Sequence, residues 1–185
     1  MGALKVPVGD ADHVAVRGEA APGESVCELV EYGDYQCPHC AMAFPVVKRL
    51  ERHFKGRLRF VFRNFPLTKI HANAQVAAEA AEWAGSCGKF WEMHDALFHK
   101  QKEWENLETA YEYFAKLAEE LGLKPEACAE AIEAGQFVER VRADFLGGVR
   151  SGVNGTPTFF INGERHNGPN DYDHLLEKIE AELQA

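Results

Sequence analysis

Apolar and polar residues alternate in two short runs in the first third of the chain, and apolar residues then recur at helical spacing through its middle. Val26 to Tyr32 (V-C-E-L-V-E-Y) predicts a strand, entered from the turn-rich loop Gly18 to Gly23 and broken by Gly33 to Gln36. Phe44, Val47, Leu50 and Phe54 stand three or four apart, one face of a helix. Pro38 opens that helix, since its fixed φ and missing N–H suit a first turn. Pro45 inside it is expected to kink it, and Gly56 to end it. Leu58 to Phe62 (L-R-F-V-F) alternates as a second strand. Strand, helix and strand in this order make a parallel βαβ unit.

After Pro66 the period changes. From Ala72 to Ser151 the spacing predicts helices: Ala72–Ala84, Phe90–Lys100, Leu107–Leu121, one opened by Pro125, and Phe137–Arg150. Strands return at Thr158 to Ile161 and Glu164 to Asn167, joined by Asn162-Gly163, a strong hairpin signal. Asp171 to Leu183 closes as a helix with Leu175, Leu176 and Ile179 inward. A parallel unit and a hairpin require a mixed α/β sheet with helices on its faces. Residues 1–65 and 152–185 form the sheet-bearing domain in this reading, and 66–151 an inserted all-helical subdomain.

With 185 residues, 46% of them hydrophobic, the chain is long enough for one sizeable core. Its net charge of −9 argues against nucleic acid and anionic membrane surfaces as partners, and needs no explanation beyond solubility. No run of about 20 apolar residues occurs, so no membrane segment is expected. Val6, Val8, Val14 and Val16 are too interrupted for a signal peptide, and with Met1 this favours a cytoplasmic protein. A removed leader would make it periplasmic or otherwise extracytoplasmic. The five cysteines are irregularly spaced, unlike a disulfide scaffold.

The chemistry concentrates at Cys37-Pro38-His39-Cys40, between a strand and a helix. A helix start leaves N–H groups unpaired and carries partial positive charge, so a thiolate there is stabilised. Cys40, one turn on, can attack a mixed disulfide formed at Cys37. Cys37 is thus the expected nucleophile and Cys40 the resolving thiol. Pro38 preorganises the turn, and His39 can donate to the Cys37 thiolate or add positive charge. A structural zinc site would need a second Cys/His pair, and Cys87 and Cys128 stand alone; no metal and no cofactor is expected. Cys27 alternates with strand residues as core, and Cys87 falls in an inter-helix turn. His71 could line a cleft or cap a helix.

Glu31 lies in a largely apolar strand six residues before Cys37. Desolvation there would raise its pKa and let it carry a proton for Cys40; an exposed Glu paired with Lys or Arg is the alternative. Thr156-Pro157 opens the returning strand, where proline is tolerated. A cis bond would leave the Thr156 backbone free to pair with an extended substrate beside the cysteines. On residues alone an ordinary trans proline is the commoner form, since only about one X–Pro bond in twenty is cis.

The run from Glu31 to Cys40 (E-Y-G-D-Y-Q-C-P-H-C) resembles the active site of DsbA-like proteins of the thioredoxin superfamily. Gly155 to Gly163 (G-T-P-T-F-F-I-N-G) resembles their cis-proline loop, and Phe65-Pro66 with His71 is similar to the entry of their helical insertion. The resemblance runs from about Val14 to Leu183. It implies a thioredoxin fold with inserted helices, a cis Pro157, and Glu31 as the buried acid near the cysteines. It further implies exchange of disulfides with protein or small-molecule thiols. Two features depart from the family pattern: no leader is visible, and Thr156 stands where DsbA itself has an aliphatic residue. Two other readings remain. One is a glutathione-dependent isomerase or transferase of the same fold, which Cys40 disfavours because those relatives typically lack the second cysteine. The other is a non-catalytic peptide-binding or chaperone module. Oligomeric state is not readable from the sequence.

Overall fold

The computed structural model describes residues 2–185; Met1 lies outside them. Its elements are β1 (His13–Val16), β2 (Cys27–Gly33), α1 (Pro38–Phe54), β3 (Leu58–Asn64), α2 (Ala74–Ser86), α3 (Phe90–His99), α4 (Gln101–Trp104), α5 (Tyr111–Glu120), α6 (Pro125–Glu133), α7 (Val138–Arg150), β4 (Thr158–Ile161), β5 (Glu164–Arg165) and α8 (Tyr172–Gln184). The strands form one mixed sheet in the order β1-β3-β2-β4-β5. β2 and β3 run parallel, joined by α1, while β1, β4 and β5 each pair antiparallel with their neighbours. This is a thioredoxin fold, with α2 to α7 lying between β3 and β4 in the chain.

Strand alternation divides the core. Cys27 and Leu29 of β2, Phe60 and Phe62 of β3, and Phe159 and Ile161 of β4 face α1 and α8. Val30, Tyr32, Val61 and Phe160 face the other way, toward Phe65 and α7. Glu31 is in phase with Cys27 and Leu29, so the pleat directs it to the α1 side. The first cluster continues without a break into α2, α3, α5 and α6, through Ala77, Phe98, Phe114 and Ile132. The helical block therefore shares its hydrophobic core with the sheet. On the second face Gly148 lets α7 approach closely, because a Cβ there would stand 2.7 Å from the Phe65 ring.

α1 runs unbroken through Pro45 and buries Phe44, Val47, Leu50 and Phe54. It ends at Lys55, which adopts positive φ, one residue before the expected Gly56. Asn162 and Gly163 both take positive φ, as the hairpin between β4 and β5 requires. α8 is capped by Asp171, whose side chain accepts from the His174 N–H.

The strand β1 was not among the expected elements. It pairs with β3 at the sheet edge. The residues before it are tied down by Arg63, whose guanidinium donates to the Asp12 carboxylate (2.7 and 2.9 Å) and to the carbonyls of Val6 and Pro7. The segment at the chain's start then reaches the opposite edge. Leu4 N–H donates to the Gly163 carbonyl, Arg165 N–H to that of Gly2, and Ala3 bridges Glu164.

Candidate active site

Cys37 is the residue immediately before α1. Its backbone is extended, and Pro38 takes the first helical position. The open N–H groups of the helix start lie at its sulfur, and the first turn carries no acidic side chain to oppose an anion. Cys37 is 4% exposed and Cys40, one turn on, is fully buried. Both are free thiols. Cys37 Sγ lies 3.5 Å from the carbonyl oxygen of Thr156, and the Thr156–Pro157 peptide bond is cis.

Their surroundings drive the two thiols apart. Hydrogen bonding from Cys40 is the largest influence on Cys37. With help from Thr156 and from the backbone N–H groups of Cys40 and His39, it overcomes burial and lowers the Cys37 thiol to about 4. Burial pushes Cys40 well above the usual thiol range; its hydrogen bond to Cys37 and negative charge at Glu31 add to that. Thr156 bears on Cys37 in two opposed ways. Its carbonyl can only accept, and so favours the thiol. Its hydroxyl, buried without another partner, is the group able to donate to the thiolate.

Glu31 is 2% exposed, and its Oε1 has no hydrogen-bond partner. Burial, and then the charge of Cys37, raise its carboxyl to about 8. His39 and Pro38 are both exposed. Among the described residues no hydrogen bond joins the His39 ring to Cys37; the contact from His39 is made by its backbone N–H. The ring instead lines a groove of about 380 Å³ with Met42, Val46, Pro157, Pro169 and Asn170. Met42 is 71% exposed beside it.

Sequence reasoning missed the side chains that hold the turn from Asp34 to Cys37. Asp34 Oδ1 accepts from Gln36 N–H at 2.8 Å, an Asx-type turn that an Asp two residues ahead could have signalled. Asp34 Oδ2 accepts from Leu67 N–H (2.9 Å) and pairs with His71 Nδ1 (2.7 Å). Burial lifts the Asp34 carboxyl against these donors. Gln101, buried in α4, donates to the carbonyls of Tyr35 (2.8 Å) and Cys37 (3.1 Å). Gln36 donates to the Glu105 carbonyl and accepts from Asn73 N–H, both at 2.7 Å. No local pattern announces these contacts, which join residues 33 or more apart apart from the Asx turn.

The other cysteines lie elsewhere. Cys27 and Cys128 are buried, and burial raises each thiol to about 12. Cys87 is exposed in the α2–α3 turn. Among the described residues no group of three His, Cys, Asp or Glu side chains is placed to hold a metal ion.

A sequence profile described as Thioredoxin matches residues 17–181. The chain belongs to the thioredoxin family. Solved structures show that this thioredoxin-family chain has the DsbA-like form of the fold. It superposes on BdbD from Bacillus subtilis with a TM-score of 0.82 at 26% identity, covering 100% of this chain and 99% of that one. The thiol-disulfide exchange protein alpha-DsbA2 from Wolbachia pipientis shares the fold, with a TM-score of 0.71 at 20% identity over 90% of this chain and 86% of that one. The sequence is also 43% identical over 176 residues to Na(+)/H(+) antiporter NhaA 1 of Salinispora arenicola. That match spans 95% of this chain and 26% of the relative. The chain thus spans about a quarter of the length of the curated relatives it matches. Among its own described residues no helix is long and apolar enough to cross a membrane. The cytoplasmic expectation gains no support from these relatives.

Proposed function

We propose that this chain is a thiol–disulfide oxidoreductase working through Cys37 and Cys40. The observation that carries the reading is the opposite tuning of two thiols in one helical turn. Cys37, at the helix start, is acidic, while Cys40 is buried and held protonated. The Cys37 thiolate attacks one sulfur of a substrate disulfide. A mixed disulfide forms, and the other substrate sulfur leaves as a thiolate. Cys40 then gives up its proton and attacks the Cys37 sulfur. The second substrate thiol is released, and the protein holds the Cys37–Cys40 disulfide. Substrate is reduced and protein oxidised by two electrons; run backwards, the same steps oxidise a substrate dithiol. A stabilised Cys37 thiolate favours the reduced protein, so oxidation of substrate is the preferred direction.

Glu31 is the proton acceptor for Cys40. Its carboxyl titrates near neutrality and lies on the same face of the sheet as α1. Thr156 presents its backbone to an extended substrate beside Cys37, and the groove of His39, Met42 and Val46 receives apolar side chains of a protein substrate. Residues 66–151 act as the inserted helical subdomain, and supply Gln101 and His71 to the redox turn. A substrate-binding module with incidental cysteines would not need thiols tuned in opposite directions.

The test is disulfide exchange with insulin in the presence of a thiol reductant. Cys37→Ser should abolish it, and Cys40→Ser should trap a mixed disulfide whose adduct maps to Cys37. Full turnover by Cys37→Ser would overturn the proposal.

A further inference from the structure

We propose that Asp34 and His71 form a positioning pair for the redox centre, holding Cys40 where its thiol can donate to Cys37. The inference rests on Cys37 and Cys40 being the redox pair, as proposed above.

Asp34 touches both cysteines through its backbone. Its carbonyl accepts from Cys37 N–H at 3.1 Å, and its N–H donates to Cys40 Sγ at 3.4 Å. One residue therefore holds both the backbone of Cys37 and the sulfur of Cys40. Nothing in the backbone of a short turn makes that position rigid by itself. The rigidity comes from the carboxylate, whose side chain is fully buried and which receives three donors: Gln36 N–H, Leu67 N–H and His71 Nδ1. Leu67 and His71 belong to the connection between β3 and α2, so the turn is anchored to a second chain segment more than 30 residues away. His71 is the one side-chain donor among the three, and its side chain is 15% exposed.

The link to chemistry is through Cys40. Cys40 is buried one helical turn beyond Cys37 with its sulfur held by the Asp34 N–H, and its neighbouring thiol favours the Cys37 thiolate. Hydrogen bonds weaken steeply with misalignment, so a small drift of Cys40 Sγ is felt at Cys37. The pair acts through the two cysteines and does not touch substrate, which makes Asp34 and His71 positioning residues. A carboxylate left in place without His71 would also be a buried charge short of one donor, which would loosen the turn further.

The experiment compares wild type, His71→Ala, His71→Asn and Asp34→Asn in the full chain. Three quantities are read: the Cys37 thiolate titration by ultraviolet absorbance, the reduced-to-oxidised ratio in glutathione buffers, and thermal unfolding of the oxidised protein. His71→Ala should raise the Cys37 pKa and shift the redox equilibrium toward the disulfide by threefold or more. Asp34→Asn should shift it in the same direction. His71→Asn, whose amide N–H can replace Nδ1–H toward Asp34, should return both values toward wild type. If His71→Ala titrates and equilibrates as wild type does, the positioning role is overturned. If His71→Ala and His71→Asn are equally impaired, donation to Asp34 is not the cause and the proposal also falls. A wild type with no acidic thiol at Cys37 would instead overturn the redox reading itself. His71→Asn is nearly isosteric at the donor, so it keeps the test open should the alanine variant fold poorly.

Discussion

The sulfur of Cys37 lies 3.5 Å from the carbonyl oxygen of Thr156, a residue 119 positions further along the chain. Cys37 therefore stands between a helix start and the loop that opens β4. The hydroxyl of the same threonine is a donor without another partner. Thr156→Val, which keeps the shape and removes the hydroxyl, should raise the Cys37 pKa above about 4. A hydrogen bond to a charged group contributes about 1.5–3 kcal/mol, which corresponds to roughly one to two pH units. Thiolate absorbance against pH measures the change, and an unshifted titration would remove Thr156 from the account.

The acidity of Cys37 also makes stability depend on pH in one redox state only. Its pKa falls from an ordinary value of 9.0 to about 4 on folding, so the unfolded chain binds the extra proton between those values. The stabilisation is complete above pH 9 and is lost as pH falls toward 4. Reduced protein should thus gain stability with rising pH across this window, relative to the oxidised protein, in which Cys37 is held in a disulfide and has no thiol to titrate. Denaturant unfolding of both forms at several pH values checks this.

Glu31 works in the opposite sense. Its pKa rises from 4.5 to about 8 on folding, so its contribution is complete below pH 4.5 and declines as pH rises to 8. Glu31→Gln cannot ionise. Relative to wild type it should become progressively more stable above pH 4.5, while release of substrate from the Cys37 mixed disulfide slows. Stopped-flow single-turnover kinetics and a pH series of unfolding midpoints would separate the two effects.

On the far face of the sheet the test is steric. Gly148→Ala would place a Cβ 2.7 Å from Phe65 and 3.0 Å from Tyr32, both buried and hemmed in by α7. Overpacking of this kind typically destabilises by about 1–3 kcal/mol. The reduced melting temperature should not be accompanied by a change in Cys37 acidity, because Cys37 faces the other cluster.

The parts of this fold that announce themselves in the sequence are those with a local cause. β2, β3, the Asn162-Gly163 hairpin and the buried stripe of α1 each follow from period and turn chemistry. The side of the sheet that Glu31 faces follows from counting by twos from Leu29. β1 escaped notice because it has four residues, lies at an edge, and buries none of them fully. The contacts of Gln101, Asn73 and His71 with the turn from Asp34 to Cys37 escaped for another reason. They are made across long stretches of chain, and a Gln or His mid-sequence looks the same whether it meets solvent or a carbonyl. The exposed ring of His39 is the converse: its position in the motif suggested a hydrogen bond to Cys37 or a positive charge beside it, and among the described residues the ring makes no such bond.

The sheet has two ends where backbone N–H and C=O groups could meet another molecule. β5 is only two residues long, and the segment Gly2–Leu4 already occupies its outer side through Ala3, Leu4 and Arg165. A strand whose outer groups are taken offers no template for a second chain to add to. The Gly2–Leu4 segment therefore covers this edge of the sheet. Removing Gly2–Leu4 would leave every thiol in place, yet would open the backbone groups of β5 to a second chain.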